Sequence, residues 1–152
     1  PVFERGEGEA SGETFASAKN VGKGAYILAE APNGTPDVIL IATGSEVQIA
    51  VDAREQLKGE GINARVVSAP SLEWFFEQSE NYRDQVLPKD VTARVSVEAG
   101  IAMSWRDIVG DKGRSVSIEH FGASADYQTL FKEFGFTTEH VVAAAKESIA
   151  AS

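Results

Sequence analysis

"DVILIATGSEVQIAVDAREQL", residues 37–57, changes its periodicity within one turn of chain. Residues 37–43 form a continuous apolar run, which predicts a strand buried on both faces. Thr43, Gly44 and Ser45 make a small-residue turn. Val47, Ala50, Val51 and Leu57 then recur as one helical stripe. Ile49 lies about 200° from Val47 on the helical wheel and is expected to be partly exposed or covered by a neighbour. Ser45 and Gln48 have the S-x-x-Q spacing of a capping box. "KGEG" (58–61) stops the helix, with Gly59 or Gly61 able to take the left-handed cap. Buried strand, tight turn and amphipathic helix together are the unit of a helix-covered sheet.

The pattern extends in both directions. Upstream, "AYILAE" (25–30) reads as a short strand, and Asn33-Gly34 between two prolines marks a turn. The short connection predicts an antiparallel hairpin between these first two strands. Downstream, "NARVVSAP" (63–70) is a third strand, and Ser71 can cap the helix "SLEWFFEQ". Tyr82 to Leu87 form a further short helix that ends before Pro88. "TARVSVEAG" (92–100) is the fourth strand, "MSWRDIVG" a short helix and "RSVSIEHF" the fifth strand. "SADYQTLFKEFG" is amphipathic through Tyr127, Leu130, Phe131 and Phe134. A last helix from Thr138 to about Ala150 offers Val141, Val142, Ala145 and Ile149 for burial. Strands alternate with helices, so the expectation is a mostly parallel sheet covered on both faces. Residues 1–24 are polar, glycine-rich and aperiodic. They read as a linker, or as an arm ordered by lying on something else, before a domain over 25–152.

Composition narrows the function. The 152 residues predict one domain, and a net charge of −9 argues against nucleic acid and anionic membrane surfaces. There is no cysteine, which excludes disulfides, thiolate metal sites and a cysteine nucleophile. His120 and His140 lie in different segments, and no metal-ligand constellation is visible. No signal sequence or membrane-length apolar run is present, so a cytoplasmic location is expected. A start at Pro1 is expected of a fragment or a processed chain.

Three constellations could carry chemistry. The turn Thr43, Gly44, Ser45 and Glu46 opens a helix, whose free amides and dipole can hold a small anion or a nucleotide phosphate. Against this, no dinucleotide or P-loop glycine pattern is present, and Glu46 repels phosphate. The bland reading is a structural turn. Glu98, with Ala99 and Gly100, ends a predicted buried strand, where open α/β sheets bind ligands at a switch in strand order. Glu98 is a functional carboxylate, or an interface or capping residue. Glu119 and His120 are adjacent in a strand and would point to opposite faces. Ser124 reads as an N-cap, and no nucleophile elbow is present. In "LEWFF", Phe75 and Phe76 fall on the Leu72 side of the wheel and Trp74 on the opposite side. Trp74 is therefore a candidate interface residue, or is packed under a local loop.

Taken together, "KGAYIL", "VILIATGSEVQIAVDAREQLKGEGINARVVSAPS", "YRDQVLPKDVTARVSVEAGIAMSW", "FGASA" and "FKEFGFTTEHVVAAAKE" closely resemble the transketolase C-terminal domain, over roughly residues 23–148. The resemblance implies a three-layer α/β/α fold with a five-stranded mixed sheet, order 1-3-2-4-5, whose first strand is antiparallel. In that order strand 1 pairs with strand 3, against the local hairpin reading. Strands 2 and 4 become neighbours, and a crevice is expected between Thr43–Glu46 and Glu98–Gly100.

The resemblance also implies an enzyme that moves a two-carbon ketol unit between sugar phosphates in the pentose phosphate pathway. Thiamine diphosphate and a divalent metal (Mg) would be held by the two preceding domains, and the partners of this domain would be those two domains and a second subunit of a homodimer. No catalytic residue and no cofactor ligand would then belong to this chain, and its part would be architecture and contacts. The alternatives are the equivalent domain of a relative such as deoxyxylulose-phosphate synthase, or a regulatory small-anion or nucleotide-binding domain. The sequence departs from the family pattern at Asp126 and at "EHFG" (119–122).

Overall fold

The computed structural model describes residues 15–117 and 135–152. The amphipathic segment 124–135 (all but its last residue), the Glu119–His120 pair, the Ser124 cap, the Asp126 departure and the first part of the 1–24 arm lie outside the described residues. The strands are β1 (Tyr26–Ala29), β2 (Val38–Ala42), β3 (Ala64–Ser68), β4 (Arg94–Val97) and β5 (Arg114–Val116). The described helices are α1 (Glu46–Gly59), α2 (Leu72–Phe76), α3 (Glu80–Val86), α4 (Arg106–Val109) and α5 (Thr138–Ala151). Ala18–Lys23 and Ala102–Trp105 are 3-10 turns.

The strands form one mixed sheet in the order β1-β3-β2-β4-β5, as the resemblance implied. β1 runs antiparallel to β3, and the other neighbours are parallel. The hairpin expected between β1 and β2 does not form, because β3 lies between them. The eight residues 30–37 between them can span roughly 26 Å, more than twice the distance to a next-nearest strand, so loop length permits either pairing. Burial decides between them. Every residue of β2 is buried, so it belongs at the centre with a parallel partner on each side. At its start Asp37 and Asn63 pin β2 to β3, with Asp37 N–H donating to Asn63 O at 2.7 Å and Asn63 N–H to the Asp37 carboxylate at 2.7 Å.

Right-handed crossovers place the helices. The β2–α1–β3 connection moves one way along the sheet and β3–α2–α3–β4 moves back, so the two land on opposite faces. Alternation along β2 feeds both. Val38, Leu40 and Ala42 join a core with α1 and α5, while Ile39 and Ile41 join one with α2, α3 and α4.

Most helix expectations hold. Val47, Ala50, Val51 and Leu57 are buried and Ile49 is half-exposed. Val141, Val142 and Ala145 are buried, with Ile149 partly so. Gly61, at φ +80°, takes the left-handed position after α1. Its N–H meets Lys58 O at 3.0 Å and the Ile62 N–H meets Leu57 O at 3.0 Å, a Schellman closure.

Two arginines tie the shorter helices to the sheet. Arg65 of β3 donates to both Glu30 carboxylate oxygens at 2.8 and 2.9 Å and to Gln85 O and Val86 O of α3. Arg94 of β4 donates to the carbonyls of Val91, Ile108 and Pro88 at 3.0, 2.7 and 2.9 Å. Burial of Arg94 pulls its guanidinium below its usual pKa, and these carbonyl dipoles stand in for a carboxylate. Among the described residues no helix is long and apolar enough to cross a membrane.

Candidate functional site: the switch-point crevice

The crevice expected between the ends of β2 and β4 is present, with a different lining. A cavity of about 210 Å³ opens there, lined by Thr43, Ser71, Glu73, Glu98, Ser104 and Trp105 among others. Thr43 and Glu98 are therefore brought together. Gly44, Ser45, Glu46, Ala99 and Gly100 are not among its lining residues.

The capping box fails at this turn. Ser45 is already helical (φ −69°, ψ −24°) and its side chain makes no cap bond. It donates instead to the Glu46 carboxylate at 3.2 Å, and the Gln48 amide turns outward to Asp52 at 2.8 Å. A serine with helical backbone angles cannot aim its oxygen at the N2 or N3 amide. Glu46, only 6% exposed, lies back over the turn; its Oε2 is 3.5 Å from where a Cβ on Gly44 would sit. A carboxylate thus already occupies the neighbourhood in which an anion would meet the helix dipole.

Glu98 is half-buried and accepts a hydrogen bond from the indole N–H of Trp105. Trp105 is buried, and a buried indole N–H needs an acceptor, so Glu98 is held as a structural partner at the crevice wall. The Glu98 side chain folds back towards Gly100, where an added Cβ would meet its carboxyl at 3.4 Å. Ala99 is exposed beside it.

Ser71, Glu73, Ser104 and Trp105 escaped the sequence reading of this site. Their signal was position: they follow the carboxyl ends of β3 and β4, as Thr43 follows β2. Ser71 itself is the N-cap of α2, accepting from Trp74 N–H at 3.3 Å, and donates to the Glu73 carboxylate at 3.1 Å. The lining holds two carboxylates and no lysine, arginine or histidine. Such a wall suits a cationic or hydroxyl-bearing group and repels phosphate. Among the described residues no group of three or more His, Cys, Asp or Glu is placed to hold a metal ion.

The aromatic run beside the crevice splits. Phe75 is buried, edge-on to Tyr82 at 6.4 Å between ring centroids. Trp74 is 52% exposed, on the side the wheel predicted. Phe76 was expected in the core and is instead 48% exposed. A five-residue helix presents too narrow a face to bury both rings, and Phe75 takes the space.

The family model for the transketolase-like TK C-terminal domain matches residues 24–137. The chain belongs to the transketolase C-terminal domain family. It is 57% identical over 136 residues to the transketolase of Mycobacterium tuberculosis, covering 87% of this chain and 19% of that one. The transketolase structure from Leishmania mexicana superposes with a TM-score of 0.81 at 38% identity, over 91% of this chain and 20% of that one. A split-gene transketolase, an inactive β4 tetramer, shares the fold at a TM-score of 0.62 and 23% identity, over 83% of this chain and 42% of that one. The domain therefore spans about a fifth of the length of the transketolases it matches at high identity. Its five-stranded mixed sheet with antiparallel β1 is the fold of that family.

Proposed function

We propose that this domain is the non-catalytic C-terminal part, over residues 25–152 after an arm at 1–24, of a transketolase. The whole enzyme moves a two-carbon ketol unit from a ketose phosphate to an aldose phosphate, with thiamine diphosphate and Mg held by its other two domains in a homodimer. The domain supplies architecture and contacts between domains and subunits. The observation that carries this reading is the 57% identity to a transketolase across 87% of the chain. Further transketolases match at 53 to 56%, which supports this reading over a deoxyxylulose-phosphate synthase. The crevice supports a non-catalytic role, since its two carboxylates suit neither a diphosphate nor a sugar phosphate. The same carboxylates give no support to a small-anion or nucleotide site at Thr43–Glu46.

The test has two arms. The 152-residue chain, given xylulose 5-phosphate, ribose 5-phosphate, thiamine diphosphate and Mg²⁺, is expected to show no turnover and no calorimetric binding of the coenzyme. Grafted in place of the matching domain of the Mycobacterium tuberculosis enzyme, it is expected to preserve ketol transfer. Turnover by the chain alone, or a folded hybrid without activity, would overturn the reading.

A further inference from the structure

Away from the crevice, a groove of about 260 Å³ lies between α2, α3 and α4. Two guanidiniums line it, Arg83 of α3 and Arg94 of β4. Among the described residues neither has a carboxylate partner. Arg94 donates to the carbonyls of Val91, Ile108 and Pro88, which supply dipoles and no counter-charge. Arg83 makes no side-chain hydrogen bond among the described residues, and its Nε is buried. Buried N–H groups are almost always met by protein, water or a ligand. An unmatched guanidinium edge beside an open groove is therefore suited to an acceptor that a ligand brings.

The rest of the lining says which acceptor fits. Lys89 is already committed, to Glu80 at 2.7 Å and Asp84 at 3.4 Å. Those two carboxylates and the exposed Asp107 also line the groove. Their repulsion grows with the charge on the ligand, so a monoanion is favoured over a phosphate dianion. A carboxylate has that charge, and its two coplanar oxygens match the edge of a guanidinium. The apolar part of the lining is Phe76, 48% exposed, with Leu87 and Ile108. It offers cover to a hydrocarbon body and nothing to a polyhydroxylated one.

We propose that the groove between α2, α3 and α4 is a binding site for a small monocarboxylate with an aromatic or branched apolar body, its carboxylate on Arg83 and its body against Phe76. Arg94 adds uncompensated positive charge from the β4 side. The site goes beyond the role in a transketolase proposed above and does not depend on it.

The probe is phenylacetate, read by saturation-transfer difference on the 152-residue chain and again on the full-length protein. For so small a molecule a Kd of about a millimolar is expected. Phenylacetamide, which keeps the ring and loses the charge, is expected to bind about tenfold more weakly, and phenyl phosphate also more weakly than phenylacetate. Arg83→Met breaks no hydrogen bond, so its melting temperature is expected to stay that of the parent while phenylacetate affinity falls about tenfold. Phe76→Ala is expected to lower affinity severalfold by an independent route. In the full-length protein the binding that Arg83→Met removes is expected to persist. No binding of phenylacetate would overturn the proposal, as would an amide or a phosphate that binds as well. Indifference to Arg83→Met or to Phe76→Ala would overturn it too. So would binding confined to the 152-residue chain, since other parts of the protein would then fill the groove.

Discussion

The two faces of the sheet are built by different means. One is covered by α1 and α5, each fourteen residues long, which bury aliphatic stripes against β2, β3 and β4. The other is covered by helices of five, seven and four residues. Helices that short do not hold together by themselves, because nucleation costs more than so few hydrogen bonds return. They are held by discrete devices: the Arg65 and Arg94 clamps, the Phe75–Tyr82 contact and the seam where Ser71 N–H donates to Gly24 O. The lesson is that long helices seal a face by repetition, whereas short ones are pinned at points. Trp74 and Phe76 on this face stay about half exposed, and it is the pinned face that borders the crevice.

The largest test of this contrast empties each core at one residue. Phe75→Ala is expected to cost about 3–5 kcal/mol and Leu57→Ala about 2–5 kcal/mol in guanidinium unfolding. If the faces differ as described, hydrogen exchange in Phe75→Ala rises first in α2 and α3, and in Leu57→Ala across the whole domain. Equal patterns in the two variants would erase the distinction. Arg94→Met is next, at about 2–3 kcal/mol, because the carbonyls of Val91, Ile108 and Pro88 lose their donor. Its exchange is expected to rise in α3 and α4 with α1 unchanged. Gly24→Ala follows, at about 1–3 kcal/mol, since it forces φ +80° on an alanine whose Cβ meets backbone. An unshifted denaturation midpoint would show that the seam is soft.

The smallest effect depends on pH. Burial raises the Tyr82 phenol above its usual value of 10.0, because the fold disfavours the phenolate. The folded state then holds that proton more tightly than the unfolded one. Stability from this source is complete below about pH 10 and falls as pH rises through the folded pKa. Tyr82→Phe is expected to flatten that alkaline decline in a thermal-melt series. An unchanged slope would remove Tyr82 from the pinned set.

The sealed face was more legible than the pinned one. Val47, Ala50, Val51 and Leu57, and Val141, Val142 and Ala145, are periodic over several turns, and periodicity is what sequence displays best. On the pinned face the wheel placed Trp74 and Phe75 correctly and misplaced Phe76, because one turn of helix is too short for a wheel to constrain. At the crevice, Thr43 and Glu98 were found from their strand ends. Trp105, Glu73 and Ser104 were not, since only the folded sheet brings the ends of β2, β3 and β4 together. The capping box at Ser45 and Gln48 was a spacing without the backbone angles it requires.

By itself the sequence determined the α/β alternation, the buried central strand, the helix stop within "KGEG" and, through five matching segments, the family. These are properties of neighbours along the chain, where steric preference and apolar spacing act directly. Tertiary structure alone decided that Glu98 serves Trp105, that Glu46 covers its own helix start, and that Gly24 admits the entering chain against α2. Each depends on groups far apart in sequence competing for one space, and local preference carries no information about that outcome.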